Sequence, residues 1–259
     1  MTSMGKWAVE KWSAERRSLD RRALRQRATL KGDELTLWLS WTVLTWLAFL
    51  SSLLFVEVGE RFDLSIGEGV VGGGLVGLAQ CLVLRPYMPG AYRWLIACLV
   101  SWGALTLFQG GALGWMAPAT MSLPLRGEFG LMQGAYVGLG LGVGQWLAIR
   151  RQVAAAWRWV PISSVIWAVA IAMGWVVGGE LRASSNLFIG EVIGLAVAWG
   201  VIAALSGIGI VVLLRWNPAK KTLEKASIKT LGIEKGKSYK ASRAFASATA
   251  KASGSKLPY

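Results

Sequence analysis

The side chains able to do chemistry in this sequence are few, and they recur at set places. Glu68, Glu128 and Glu191 each follow a glycine near the start of an apolar run. A carboxylate in a first helical turn complements the positive end of the helix dipole. Three of them at one end of a bundle would instead form a cation site on the outer face. Their spacings of 60 and 63 residues break a 65-residue period that runs through the rest of the chain, which weighs against a shared site. Gln80 and Gln145 lie about one helical turn inside the ends of their runs, at equal depth. An amide within a bilayer must find a partner in the protein, so this pair reads as inter-helix ties or as contacts for a solute. Gln109 and Gln133 are further polar contacts of that kind. Arg85, Arg150 and Arg215 each close an apolar run. A cation there suits a helix C-terminus and can reach lipid phosphates; the sharper alternative is an anion-attracting mouth.

Other chemistry is excluded by composition. There is no histidine, which removes His-ligated zinc and haem and Ser-His-Asp triads. Cys81 and Cys98 are the two cysteines, both inside apolar runs, and read as packing residues rather than as a disulfide framework. No catalytic residue, metal site or cofactor is expected.

The elements that carry these residues are apolar and long. Hydrophobic residues make up 54% of the 259, charged residues 16%, and the mean hydropathy is +0.47; a soluble domain is about 25% charged. Apolar runs span residues 35–56, 66–84, 94–117, 129–149, 159–179 and 188–214, close to the length of about 20 residues that crosses a bilayer as a helix. They predict an all-α integral membrane protein with six transmembrane helices. Twenty-five of the 28 basic residues fall before the first run, after the last, or in the second and fourth connections. Positive charge stays inside, so both termini are expected in the cytoplasm. The polar start and the long, Trp-rich first run do not fit a cleavable signal.

The runs repeat. GLAQCLVLR (77–85) matches GVGQWLAIR (142–150) at an offset of 65, and a second step of 65 reaches GIGIVVLLR (207–215), where Ile210 replaces the glutamine. The same offset carries Arg93-Trp94 to Arg158-Trp159, Trp102 to Trp167, and Gly69, Gly73 and Gly77 to Gly134, Gly138 and Gly142. The chain therefore reads as three tandem two-helix hairpins related by an axis along the membrane normal. The even runs carry glycines at four-residue steps, which permit close backbone approach. The odd runs carry Trp38, Trp41, Trp46, Trp102, Trp115, Trp167 and Trp175. An inner trio of even helices, with odd helices facing lipid, is the expected arrangement. Trp146, Trp157, Trp159 and Trp216 are expected in an aromatic belt at the cytoplasmic level.

The pattern GxxQWxxLR followed by a short basic turn and Arg-Trp resembles a group of uncharacterised bacterial polytopic membrane proteins, common in cyanobacteria and related phyla. The resemblance rests on Gly142 to Arg150 with Arg158-Trp159, and on Gly77 to Arg85 with Arg93-Trp94; Cys81 and Ile210 depart from it. It covers roughly residues 66 to 216. It implies a repeat membrane fold and no activity, and it places the protein in a bacterial inner membrane, or a thylakoid membrane if the source is cyanobacterial.

Outside the membrane domain, 34–216, lie two basic arms. Residues 1–33 carry an apolar stripe at Ala8, Trp12, Leu19, Ala23 and Leu30 within an Arg-rich segment, a pattern that lies on an anionic leaflet or docks on an acidic partner. Residues 217–259 are Lys-, Ala- and Ser-rich, with Lys-Ala-Ser at 225, 240 and 251, a composition that does not build a core. A net charge of +14 fits an acidic protein, anionic lipid or nucleic acid; without a recognition motif or stacking platform, nucleic acid ranks last. Two functions are expected: a non-enzymatic accessory or scaffold subunit whose arms bind an acidic partner complex or anionic lipid, or a small transporter or channel along the axis between helices two, four and six.

Overall fold

The computed structural model describes residues 33–60, 65–108, 114–153 and 155–215. The expectations for the N-terminal amphipathic stripe, the C-terminal tail, Gln109 and Trp216 lie outside the described residues. Six helices are present: α1 (Asp33–Ser52), α2 (Ile66–Leu84), α3 (Tyr92–Leu107), α4 (Leu123–Ile149), α5 (Trp159–Ser185, entered through a 3₁₀ turn at Ala156–Arg158) and α6 (Ile189–Arg215). Among the described residues the only strand-like feature is an isolated bridge between Gly59 and Met116. Four helical stretches are long and apolar enough to cross a membrane: α1, α2, α5 with its 3₁₀ turn, and α6. Helix α3 has 16 residues; α4 has 27, but its apolar character is diluted by repeated glycine and by Arg126 and Glu128.

Local sequence sets the helix ends. Ser65 and Glu68 form a capping box at α2: the Glu68 N–H donates to Ser65 Oγ (3.2 Å) and the Ser65 N–H to Glu68 Oε2 (2.9 Å). Pro124 occupies the first turn of α4, where its missing N–H costs nothing. Asn186, at φ 56°, terminates α5 in the left-handed conformation. The third apolar run departs from expectation. Helix α3 stops at Leu107, and Gly114–Ala117 is not part of a span. It lies in an irregular segment that plugs the bundle end opposite Arg85, Arg150 and Arg215, with Trp115, Met116 and Ala117 all buried.

The glycine stripes do not make an inner trio. A Cβ on Gly73 would lie 2.0 Å from Trp102 Cδ1, and one on Gly77 2.7 Å from Cys98 Cβ, so α2 seats on α3. Gly130, Gly134 and Gly138 press on the α5 backbone, with the Gly134 position 2.4 Å from Trp167 O. Gly194 meets α5 at Gly174 and Gly178, and Gly207 meets Trp38 and Trp41 of α1. Each even helix thus uses glycine against an odd helix. These contacts also fix the neighbours as antiparallel, since Gly69 faces Thr106 while Gly77 faces Cys98.

The odd helices are correspondingly not an outer trio. Trp41, Trp94, Trp102, Trp159, Trp167 and Trp175 are buried, and Trp46 alone among the tryptophans of α1, α3 and α5 is exposed. All six helices instead show apolar side chains outward, such as Leu39, Leu82, Val100, Leu139, Val165 and Ile193. The ring closes between the chain ends: Trp38 Nε1 donates to Ala204 O and Trp46 Nε1 to Ala196 O, which binds α1 to α6.

Candidate functional site

Three indole N–H groups point into the middle of the bundle, and each meets a polar side chain on an even helix. Trp94 Nε1 donates to Gln80 Oε1 at 2.9 Å, and Trp159 Nε1 to Gln145 Oε1 at 2.7 Å. Trp41 Nε1 donates to Ser206 Oγ at 2.8 Å. The amide of Gln80 reaches onward to Thr45 Oγ1 on α1 at 3.5 Å, and that of Gln145 to Cys98 Sγ on α3 at 3.6 Å. Both glutamines are therefore inter-helix ties, each joining three helices. Their rings touch in series, Trp41 to Trp94 at 5.7 Å and Trp94 to Trp159 at 5.8 Å between centroids. Below them Phe49, Trp102, Trp115, Trp167 and Trp199 pack edge-on and stacked. Side chains from all six helices enclose a central cavity of about 20 Å³, room on the scale of one water molecule.

The second constellation lies at the plugged end. Arg126 is fully buried and uses all five of its N–H groups. Nε donates to Thr120 O (2.6 Å); Nη1 donates to Trp175 O (3.0 Å) and Glu191 Oε2 (2.8 Å); Nη2 donates to Pro118 O (3.1 Å) and Glu191 Oε1 (2.7 Å). The guanidinium thus ties α4 to α5, α6 and the plug. Arg182 lies 3.5 Å from Glu191 and pairs with Glu60, so a chain of alternating charges leads from a half-buried carboxylate to a buried one. The plug is held by further indoles: Trp115 Nε1 donates to Ser52 Oγ, Trp175 Nε1 to Met116 O and Trp199 Nε1 to Gly114 O.

The three carboxylates do three different things. Glu191 is the partner of Arg126, Glu68 caps α2, and Glu128 is exposed on α4. Among the described residues no group of three or more His, Cys, Asp or Glu side chains is placed to hold a metal. The three arginines share one end of the bundle but not one environment. Arg85 and Arg150 are exposed at the C-caps of α2 and α4, with Arg150 5.8 Å over the Trp146 ring. Arg215, more than half exposed, pairs with Glu34 of α1 through Nε and Nη2. Trp159 is a core donor and not a member of a surface belt, because an indole N–H is buried readily when it has an acceptor.

Sequence reasoning missed Arg126 and the indole donors. Both had a signal. Arg126 and Glu191 stand 65 residues apart, and Gln-to-Trp is 14 residues in both copies. The fold and its buried polar core define a multi-pass α-helical membrane bundle. No family model, curated protein or solved structure matches the chain, and the roles of these residues rest on their geometry.

Proposed function

We propose that this protein is a non-enzymatic accessory or scaffold subunit of a bacterial inner membrane, or of a thylakoid membrane if the source is cyanobacterial. In this reading all six helices span the bilayer with both termini in the cytoplasm. Arms 1–33 and 217–259 then hold an acidic partner complex or anionic lipid. One observation carries the proposal: apart from a water-sized cavity the interior is filled, and its polar groups are largely spent on one another. A transporter marks its route with midplane charge or broken helices, whereas here indoles occupy the axis.

The same contacts support a three-fold repeat, with a changed unit. Glycine seats α2 on α3, α4 on α5, and α6 on both α5 and α1; taking α6 with α1 gives the third unit. Trp41, Thr45 and Phe49 stand to Trp94, Cys98 and Trp102 at an offset of 53. The third hairpin is thus split between the two chain ends. The resemblance to the bacterial polytopic group belongs to this reading.

Purification from mild detergent tests it. A partner complex or bound anionic lipid should co-purify and be lost on deleting 217–259 or on raising salt, since exposed charges are screened over about 8 Å at physiological ionic strength. A chain that runs alone, unchanged by the deletion, refutes it. The Glu60–Arg182–Glu191–Arg126 chain, which runs from half-buried groups to a fully buried pair, favours transport as the second reading. Flux in reconstituted liposomes that is lost in Gln80→Leu plus Gln145→Leu would establish that reading instead.

A further inference from the structure

The three spokes of the core are not equal, and the difference points to a ligand. On the first spoke the Gln80 amide accepts from Trp94 and donates to Thr45; on the second the Gln145 amide accepts from Trp159 and donates to Cys98. On the third, the α6 residue in step with the glutamines is Ile210, buried and without a polar atom. Trp41 therefore turns to Ser206, one helical turn earlier. The place of Thr45 and Cys98 on this spoke is taken by Ser163, which stands 65 residues after Cys98. Ser163 is 3% exposed and lines the cavity together with Ser206, Gln145 and Gln80. Among the described residues its hydroxyl makes no hydrogen bond. The serine side chain of Ser206 is two atoms shorter than a glutamine and cannot both accept from Trp41 and reach across to Ser163 as an amide would.

We propose that the central cavity is a binding site for one water molecule, which stands where the third glutamine amide would be and links Ser163 Oγ to the Ser206 side of the core. A water both donates and accepts, as the spoke requires. The cavity of about 20 Å³ exceeds the roughly 10–15 Å³ one water needs, and a buried water keeps 2–4 polar partners. Ser206 Oγ donates to Ala203 O (3.3 Å) and so can only accept from the water, while Ser163 Oγ can do either; besides these, each glutamine amide has two N–H groups, of which the protein engages one at long range. The site is thus polar enough to keep its occupant.

The test restores the amide genetically. In the full chain in mild detergent, Ile210→Gln should unfold within about 2 °C of the wild type, a shift below 1 kcal/mol for a chain of this size, because a glutamine, longer than the isoleucine and one repeat after the cavity-lining Gln145, extends its amide to Trp41 and Ser163 in place of the water. The control Ile171→Gln, at a buried position that the repeat relates to Thr106 and to no glutamine, should fall by roughly 5 °C or more, as an unpartnered buried amide does. Tolerance of Ile210→Gln should be lost when Ser163→Ala is added. A density map of the wild type fine enough for waters should show one between Ser163 and Ser206. The proposal is overturned if Ile210→Gln falls as far as Ile171→Gln or fails to accumulate, or if that map shows a dry cavity.

Discussion

Removing the Glu191 carboxylate should be among the most damaging single changes available in this fold. Arg126 is completely enclosed, and among the described residues its counter-charge is the bidentate contact of Glu191 at 2.7 and 2.8 Å. In Glu191→Met the three backbone carbonyls still accept, but the guanidinium keeps a net charge with no compensation. Arg182 makes matters worse, since it is a second cation 3.5 Å from the same carboxylate. Breaking a buried pair in this way costs about 3–5 kcal/mol, which for a chain of this size lowers the unfolding temperature by about 6–20 °C. The assay is thermal unfolding in a fixed detergent, followed by tryptophan fluorescence, for Glu191→Met, Arg126→Met and the double variant. In the double variant no charge is stranded, so its loss should fall short of the sum of the singles by about 2 kcal/mol or more. A Glu191→Met loss below about 1 kcal/mol, or singles that add within about 0.5 kcal/mol, would show that the pair is hydrated and that the burial argument is wrong.

Three further substitutions follow from the same geometry. Gly138→Ala places a Cβ 2.5 Å from Ser163 O and should destabilise by about 1–3 kcal/mol, whereas Gly127→Ala, with its nearest neighbour at 3.8 Å, should be neutral or slightly stabilising; parallel melts in detergent separate them. Trp94→Phe keeps most of the ring but leaves Gln80 Oε1 without its donor, for a loss of about 1–3 kcal/mol, while Trp157→Phe at the exposed surface should stay within about 0.5 kcal/mol. Arg215→Gln removes an ion pair to Glu34 in which the arginine is 57% exposed, so the loss should be about 0–1 kcal/mol and vanish at high salt, as melts with and without added salt would register.

Much of the helical frame was legible because membrane helices must satisfy their own backbone and so appear as uninterrupted apolar runs. The α2 boundaries agree with the apolar run 66–84, and α6 differs from its run by a residue at each end. The third run misled because hydropathy cannot distinguish a span from an apolar plug; Trp115, Met116 and Ala117 are buried by the other helices rather than by length along one of their own. The α1–α6 closure was invisible for a related reason. Its equivalence to the other pairs runs at an offset of 53 and across the chain ends, and a search at a fixed 65 passes over it. Arg126 passes for a loop cation in the sequence, since charge near a run's edge is the ordinary sign of a loop. Its fixed distance of one period from Glu191 was the contrary sign.

The direction of the tryptophans shows most clearly why pattern and placement part company. Indoles favour the membrane interface because they are large, apolar and carry one N–H that wants water. That preference reverses wherever the protein offers an acceptor and a space of the right size. Here both come from the even helices. A Cβ on Gly73 would overlap Trp102, and one on Gly138 would sit 2.7 Å from Trp167 Cβ; these two pairs are related by the same 65 residues. Gly72 does the same for Trp115 and Gly209 for Trp159. Between helices already surrounded by lipid there is little hydrophobic gain from association, so packing and hydrogen bonds must supply it. A glycine-to-indole contact supplies the packing, and Gln80, Gln145 and Ser206 supply the acceptors. Glycine on one helix and tryptophan on the next therefore recur together because each is the volume complement of the other. An even helix without its glycines would have nowhere to receive the ring, and an odd helix without its rings would leave the bundle hollow.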